Sequence, residues 1–358
     1  MNTLAPPADP HAASLGSGPG DAQGARPDLA ELAAALRAGR GFAHKRDIGR
    51  VMDTLAAALP AGVADLAQAV PVGDDCAAIP DGDGWLLFAI EGFLSEFVQQ
   101  RPWFAGYCGV MVNVSDIAAM GGRPIAVVDA LWSRGDAAGD DVLKGLATAA
   151  QRYGVPIVGG HSNTRSDSGQ LAVAILGRAT RLLTSFDARP GDRLLMAIDL
   201  RGAYEEPNPF FNASTGAPAE RLREDLALLP LLAESGLCAA AKDISMAGAV
   251  GTALMLLECS RVGAVIDVGA VPRPDGVPLA RWLQSFPSFG FVLSVRPDRV
   301  AEVQGLFHAR GIACADVGGV TAEPMVWLAD ATTGEAPVPL WDLATERLIT
   351  AAAPGGEP

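Results

Sequence analysis

The hydrophobic pattern changes period several times along the chain, and each change marks an expected element. Residues 28–39, "DLAELAAALRAG", carry apolar positions at helical spacing behind Asp28, a residue suited to capping a helix N-terminus. "KRDIGRVMDTLAAAL" (45–59) reads as a second helix ending near Pro60. Between 70 and 180 the pattern alternates. "DDCAAI" (74–79), "WLLFAIEGF" (85–93), "PIAVVDALW" (124–132), "VPIVGG" (155–160) and "LAVAILGRAT" (171–180) read as strands. "WFAGYCGVMVNVSDIAAMGG" (103–122) reads as a helix apolar on most sides with a Gly-Gly stop, and "GDDVLKGLATAAQRYG" (139–154) as an amphipathic helix closed by Gly154.

The turn-rich stretch "SFDARPGD" (185–192) precedes a fresh strand, "RLLMAIDL", and predicts a domain boundary. Beyond it, helices are expected at 219–236, 247–263 and 297–311, and strands at 264–271, 289–295 and 313–321. Strand–helix–strand units favour a layered α/β (α+β) architecture. The expected division is a disordered tail at 1–27, domains at 28–184 and 185–345, and a frayed end at 346–358, both ends being rich in Ala, Gly and Pro.

Composition narrows the function classes. The chain has 358 residues, 49% hydrophobic and 19% charged, enough apolar material for two cores. A net charge of −14 and a pI near 4.7 argue against bulk nucleic-acid binding and against attraction to anionic membranes. Five cysteines without metal-ligand spacing suit a reducing compartment. No apolar run reaches membrane-spanning length, and the N-terminus lacks the pattern of a signal peptide. A cytoplasmic protein is expected.

Acids inside apolar runs carry the chemistry. Asp74 and Asp75 lie in "VGDDCAAIP", Glu91 in "FAIEGFL", and Asp116 beside Asn113 and Ser115 in "VNVSDIAAMGGRP". A buried carboxylate needs a cation or strong donors. Converging carboxylates with few basic neighbours point to a hard divalent cation, which in turn suits a phosphorylated ligand. "VPIVGGHSNTRS" places Gly159 and Gly160 before His161, Ser162 and Arg165, a loop that could approach phosphate or simply lie on the surface. "KDISMAGAVGTALMLLE" puts Asp243 and Ser245 ahead of an apolar helix, either as caps or beside an anion. Walker, dinucleotide-fold, HExxH and nucleophile-elbow patterns are absent.

Taken in order, "VGDDCAAI", "EGF", "NVSDIAAMGGRP", "GGHSNTRS", "ARPGDRLLMA", "KDISMAGAVGTAL" and "IACADVGGVT" resemble a superfamily over residues 41–330. Its members are aminoimidazole ribonucleotide (AIR) synthetase, thiamine-monophosphate kinase, selenophosphate synthetase and the hydrogenase-maturation carbamoyl dehydratase. The resemblance implies a two-domain AIR-synthetase-like fold. Its N-terminal mixed sheet would pair with a twin in a homodimer, its C-terminal domain would be an α+β sandwich, and ATP with Mg²⁺ would sit in a cleft beside the dimer interface. Asp74, Asp75 and Asp116 would be metal and phosphate ligands, joined by Glu91 where the kinase has aspartate. Asp75, Asp116 and His161 would be catalytic. Asn113, Ser115, Gly159, Gly160, Ser162 and Asp243 would hold the nucleotide. Gly159, Gly160 and Ser162 match a Gly-Gly-acid-Thr turn with His161 at the acid, and Asp243 matches the first acid of the kinase's Asp-Ile-Ser-Asp-Gly.

Departures from the kinase bear on the substrate. Met246 replaces the second acid of that segment and Ala247 its glycine. "FPSFGF" (286–291) replaces an acidic stretch, and Cys108 replaces a lysine. The resemblance implies ATP-dependent activation of a small-molecule acceptor, with a non-catalytic nucleotide-binding or partner protein as the competing reading. An enzyme of phosphosugars or amides that uses no ATP is the third.

Overall fold

The computed structural model describes residues 28–56 and 73–350. The tail expected at 1–27, the end of the second helix at 57–59 and residues 351–358 lie outside the described residues.

Two helices, α1 (Leu29–Ala38) and α2 (Arg40–Ala56), precede the first sheet. Asp28 caps α1, its carboxylate accepting from the Ala30 amide at 3.0 Å. The first sheet is built from β1 (Ala77–Asp81), β2 (Gly84–Phe93), β3 (Arg123–Arg134), β4 (Ile157–Asn163) and β5 (Arg165–Ala179) in the order β1-β2-β5-β3-β4. β3 and β4 pair in parallel and the other neighbours are antiparallel, so the sheet is mixed. Its helices are α3 (Ser95–Gln100), α4 (Pro102–Ala119) and α5 (Asp136–Tyr153).

The second domain holds β6 (Arg193–Ile198), β7 (Ala203–Tyr204), β8 (Phe210–Asn212), α6 (Ala219–Leu226), α7 (Leu228–Ser235), β9 (Ala240–Asp243), α8 (Gly248–Ser260) and β10 (Gly263–Asp267). There follow α9 (Leu279–Trp282), β11 (Phe286–Pro287), β12 (Gly290–Val295), α10 (Val300–Ala309), β13 (Ala313–Thr321), β14 (Met325–Ala329) and β15 (Val338–Asp342). A seven-stranded sheet runs β15-β14-β10-β13-β6-β12-β9, and a small one runs β11-β8-β7.

α4 is the most enclosed helix of the first domain. Residues 104 to 119 are all buried, because the helix lies between α5, the first sheet and β9 of the second domain. A helix apolar all round is what such a position requires. It meets α5 backbone to backbone: a Cβ on Gly106 would come within 2.0 Å of the Val142 carbonyl oxygen, and one on Gly145 within 1.9 Å of the Trp103 carbonyl oxygen. Only glycine fits at that crossing.

Several expectations change. The helix read at 219–236 is two helices, α6 and α7, because Pro230 has no amide to bond across the join and crowds the preceding turn. The polar loop expected after Gly160 is instead the continuation of β4 through Asn163. The helix read in 28–39 packs on the second domain, where Leu29, Leu32 and Leu36 join the core of Leu194, Leu254 and Leu328. Each such side chain contributes about 1.5–3 kcal/mol of burial. The fraying expected from 346 does not begin there. Glu258, buried on α8, accepts from the Leu348 and Ile349 amides at 2.7 and 2.8 Å and from the Thr350 hydroxyl at 3.0 Å.

Candidate functional site

A cleft of about 560 Å³ opens between the two domains. Acids from four segments meet at one end of it. Asp75 comes from the turn before β1, Asp116 from α4, Asp243 from the end of β9 and Glu91 from β2. Oxygens of Asp75, Asp116 and Asp243 all lie within 4.8 Å of one another. One oxygen of Asp116, Oδ2, is buried without a hydrogen-bond partner among the described residues. Buried polar atoms are nearly always satisfied, so an orphan aimed among two further carboxylates marks a place for a cation. The donor set, all hard oxygen, suits Mg²⁺ or a similar ion.

The electrostatics agree. Burial, followed by repulsion from Asp243, Glu91 and Asp75, raises the Asp116 carboxyl well above the usual range against the pull of Lys242. Burial and then Asp75 push Asp243 up to about 8, with Lys242 and Lys45 opposing. Glu91 keeps contact with solvent, yet the cleft walls withdraw enough water to raise its pKa, Lys45 pulling the other way and Asp75 adding to the rise. Such a cluster holds its charge poorly until positive charge arrives.

Asp74 stands behind this group. Its Oδ2 accepts from the Ser185 amide at 2.7 Å and its Oδ1 from the Ser185 hydroxyl at 2.6 Å. Lys242, buried on β9, donates to Asp75 Oδ1 and lies 3.9 Å from Asp74 Oδ1. Burial raises Asp74 to about 6, with Lys242 lowering and Asp75 raising. For Lys242 burial pulls the ammonium pKa down, but Asp75 and Asp74 outweigh it and the net shift is upward. Asp74 is thus an anchor for the inter-domain linker, and Lys242 is the cation that makes two adjacent buried aspartates tolerable.

The other expected residues are placed elsewhere. Asn113, fully buried, donates to the Gly109 and Val173 carbonyls at 2.8 and 3.0 Å and so fastens α4 to β5. Ser115 is buried on α4 and is not among the residues lining the cleft. Gly159, Gly160, His161 and Ser162 are exposed on β4, the edge strand furthest from β1, and none of them lines the cleft of this single chain. The His161 ring lies 5.8 Å from that of Trp132.

Sequence reasoning missed Lys242, Lys45, His44 and Ser185. Lys242 could have been found: a lysine inside the apolar run "CAAAKD" has to meet an acid. His44 and Lys45 reach the cleft from α2, which is pressed against the second domain so closely that a Cβ on Gly41 would come within 2.2 Å of the Met246 carbonyl oxygen.

Comparison with known proteins places this geometry. Residues 73–179 match the AIR synthase related protein N-terminal domain, and residues 202–328 match its C-terminal domain. The chain belongs to the AIR synthase related family. An uncharacterised Synechocystis protein, sll0787, is 49% identical over 79% of this chain and 87% of its own length. An uncharacterised protein of Methanocaldococcus jannaschii, MJ0640, is 35% identical over 74% of this chain and 83% of its own. The thiamine-monophosphate kinase of Pyrococcus horikoshii is 29% identical over 65% of this chain and 79% of its own.

Among solved structures, T. maritima PurL complexed with ATP superposes with a TM-score of 0.64 at 21% identity, covering 77% of this chain and 46% of that one. AaThiL complexed with AMPPCP and TMP superposes with a TM-score of 0.60 at 19% identity, covering 81% and 96%. At these identities the likeness is one of fold. The two-domain AIR-synthase arrangement implied by the motif order is the arrangement found. Members of this family include ATP-dependent kinases and synthetases.

Proposed function

We propose that this AIR synthase related protein is an ATP- and Mg²⁺-dependent enzyme that activates a small-molecule acceptor by phosphoryl transfer to an oxygen. The observation that carries this reading is the orphaned Asp116 oxygen within the Asp75–Asp116–Asp243 group at the inter-domain cleft. Structural neighbours of the same fold, one complexed with ATP and one with AMPPCP, support the choice of nucleotide.

Asp75, Asp116 and Asp243 would hold the metal, with Glu91 at the mouth. When bound, Mg²⁺ supplies positive charge for the nucleotide phosphates and for the charge that develops on the transferring group. The chain's own residues do the rest. Ser185 and Lys242 fix Asp74 and Asp75, so the carboxylates are held in place before a ligand arrives. Lys45 brings an ammonium to the same end from α2, where it can meet phosphate. The apolar walls exclude water, which strengthens each of these interactions and limits hydrolysis.

The acceptor oxygen is an alcohol, a phosphate or an amide carbonyl. The competing reading, a nucleotide-binding protein without turnover, draws on Met246, which lines the cleft beside Asp243 where the kinase has its second acid.

A homodimer and a cytoplasmic setting belong to the same proposal. Phe88, Ile90, Val128 and Val158 are exposed, between 40% and 66%, on the first sheet, an apolar area suited to a second copy. Gly159 to Ser162 could then serve the partner's cleft or the paired interface. All five cysteines are buried free thiols, as suits a reducing compartment. No described helix is long and apolar enough to cross a membrane.

Calorimetric titration with AMPPCP, with and without Mg²⁺, tests the reading. Magnesium-dependent micromolar affinity, about −8 kcal/mol, is expected. No binding in either condition would end it.

A further inference from the structure

The end of the cleft away from the acids is of a different chemistry. Six of the chain's twelve phenylalanines line the cleft: Phe93, Phe97, Phe104, Phe210, Phe211 and Phe286. They come from both domains, on β2, α3, α4, β8 and β11. Their rings form a continuous series. Phe97 is 6.4 Å from Phe93, 6.0 Å from Phe104 and 5.3 Å from Phe210, and Phe210 is 6.2 Å from Phe286. Three of these contacts are edge-to-face, the arrangement that aromatic pairs prefer. Cys108 and Met111 of α4 extend the apolar wall.

No basic side chain lines this end among the described residues. Among the described residues lining the cleft, the basic side chains are His44, Lys45 and Lys242. Lys242 is committed to Asp75, and the charge of Lys45 acts on Glu91 and Asp243. Arg101 lies over the Phe104 ring, 5.9 Å from its centroid, but its charge is paired with Glu205 and neither side chain lines the cleft. The polar side chains here are turned inward. Asn212 donates to Glu205 and Thr215, both at 2.7 Å, and accepts from the Ser214 and Thr215 amides, and the Ser288 hydroxyl accepts from the Ala213 amide at 2.9 Å. A phosphate placed among these rings would lose its hydration and gain no cationic partner from the side chains that line this end.

The geometry points to an acceptor whose body is an uncharged aromatic or similarly flat apolar group, held among the Phe97, Phe210 and Phe286 rings, with its reacting oxygen directed to the Asp75–Asp116–Asp243 end. This deepens the phosphoryl-transfer reading and rests on it for the position of the reacting oxygen. It assigns specificity to "FPSFGF", the segment whose sequence departs from the kinase pattern.

The test compares benzyl alcohol with benzyl phosphate in saturation-transfer NMR titrations of the full chain, alone and with AMPPCP and Mg²⁺. Benzyl alcohol is expected to bind at least about tenfold more tightly than benzyl phosphate, a difference of about 1.4 kcal/mol. Phe286→Ala should cut benzyl alcohol affinity severalfold while AMPPCP affinity stays within about twofold. Phe286→Leu, which keeps most of the volume, should retain most of the affinity and guards against misfolding as the cause. Equal or tighter binding of benzyl phosphate overturns the inference, as does failure of benzyl alcohol to bind. If Phe286→Ala weakens AMPPCP as much as benzyl alcohol, the rings hold the nucleotide base and the inference is likewise overturned. A wild-type chain that binds benzyl alcohol but not AMPPCP with Mg²⁺ refutes the ATP reading while leaving the aromatic compartment standing.

Discussion

Ser185 grips both carboxylate oxygens of Asp74, through its amide at 2.7 Å and its hydroxyl at 2.6 Å. The serine is the first residue of the turn that joins the two domains, so the acid end of the cleft and the domain junction are one structure. Ser185→Ala keeps the amide bond and removes the hydroxyl. Hydrogen bonds to charged groups contribute about 1.5–3 kcal/mol, and a loss of that size is expected in urea unfolding. A change below about 0.5 kcal/mol would show that the hydroxyl does not hold Asp74.

Asp116→Asn separates stability from binding. It replaces one of the mutually opposed buried carboxyls with a neutral amide, so the metal-free variant should unfold at a higher temperature than wild type at pH 8. The same change removes a metal ligand and should abolish Mg²⁺-dependent AMPPCP affinity. Retained magnesium dependence in the calorimeter would remove Asp116 from the site.

Lys242→Met leaves Asp74 and Asp75 buried without their ammonium. Breaking a buried ion pair from one side costs about 3–5 kcal/mol, to be read from urea midpoints in EDTA. Added Mg²⁺ should restore part of the loss. A neutral substitution would mean that Lys242 does not balance the pair.

The pH dependence follows from raised carboxyl groups. Burial lifts Asp74 to about 6 and Asp243 to about 8 in the folded state, against an ordinary 3.8. The folded protein therefore binds more protons than the unfolded chain across this window. The stabilisation is complete below pH 3.8 and is lost as pH rises through about 6 and then about 8. Metal-free protein should lose stability over that range, and Asp243→Asn should flatten the upper part of the curve. Magnesium should bind more tightly as pH rises and release protons, seen as a buffer-dependent heat.

Phe88 tests the proposed twofold assembly. Phe88→Asp places a charge on the exposed sheet face and is expected to yield a monomer by light scattering where wild type is a dimer. A wild-type monomer would refute the assembly outright.

How much of this could be read from the chain depends on what each signal reports. Asp116 was visible because an acid in the middle of an apolar helix contradicts its surroundings, and the order of the motifs carried the two-domain fold. Asn113 shows the same contradiction, but its amide donors are taken up locally by the carbonyls of Gly109 and Val173, while its Oδ1, like Asp116 Oδ2, has no partner among the described residues. Composition does not distinguish the two cases; only the direction of the side chain does. His44 and Lys45 look like the solvent face of an ordinary amphipathic helix, since nothing local reveals that α2 crosses a cleft. The strand character of 161–163 was hidden because an edge strand can carry polar residues on both faces.

The attachment of Leu348 to Thr350 on Glu258 has a consequence in time. Ile349 lines the cleft, Arg37 donates to the Leu340 carbonyl at 2.8 Å, and the Trp341 ring lies under Arg37 and Arg46. The roof of the acid end is therefore sewn from segments some three hundred positions apart. During synthesis, every acid of the cleft leaves the ribosome before Leu348 to Thr350, so the acid end is covered only once this late segment is in place.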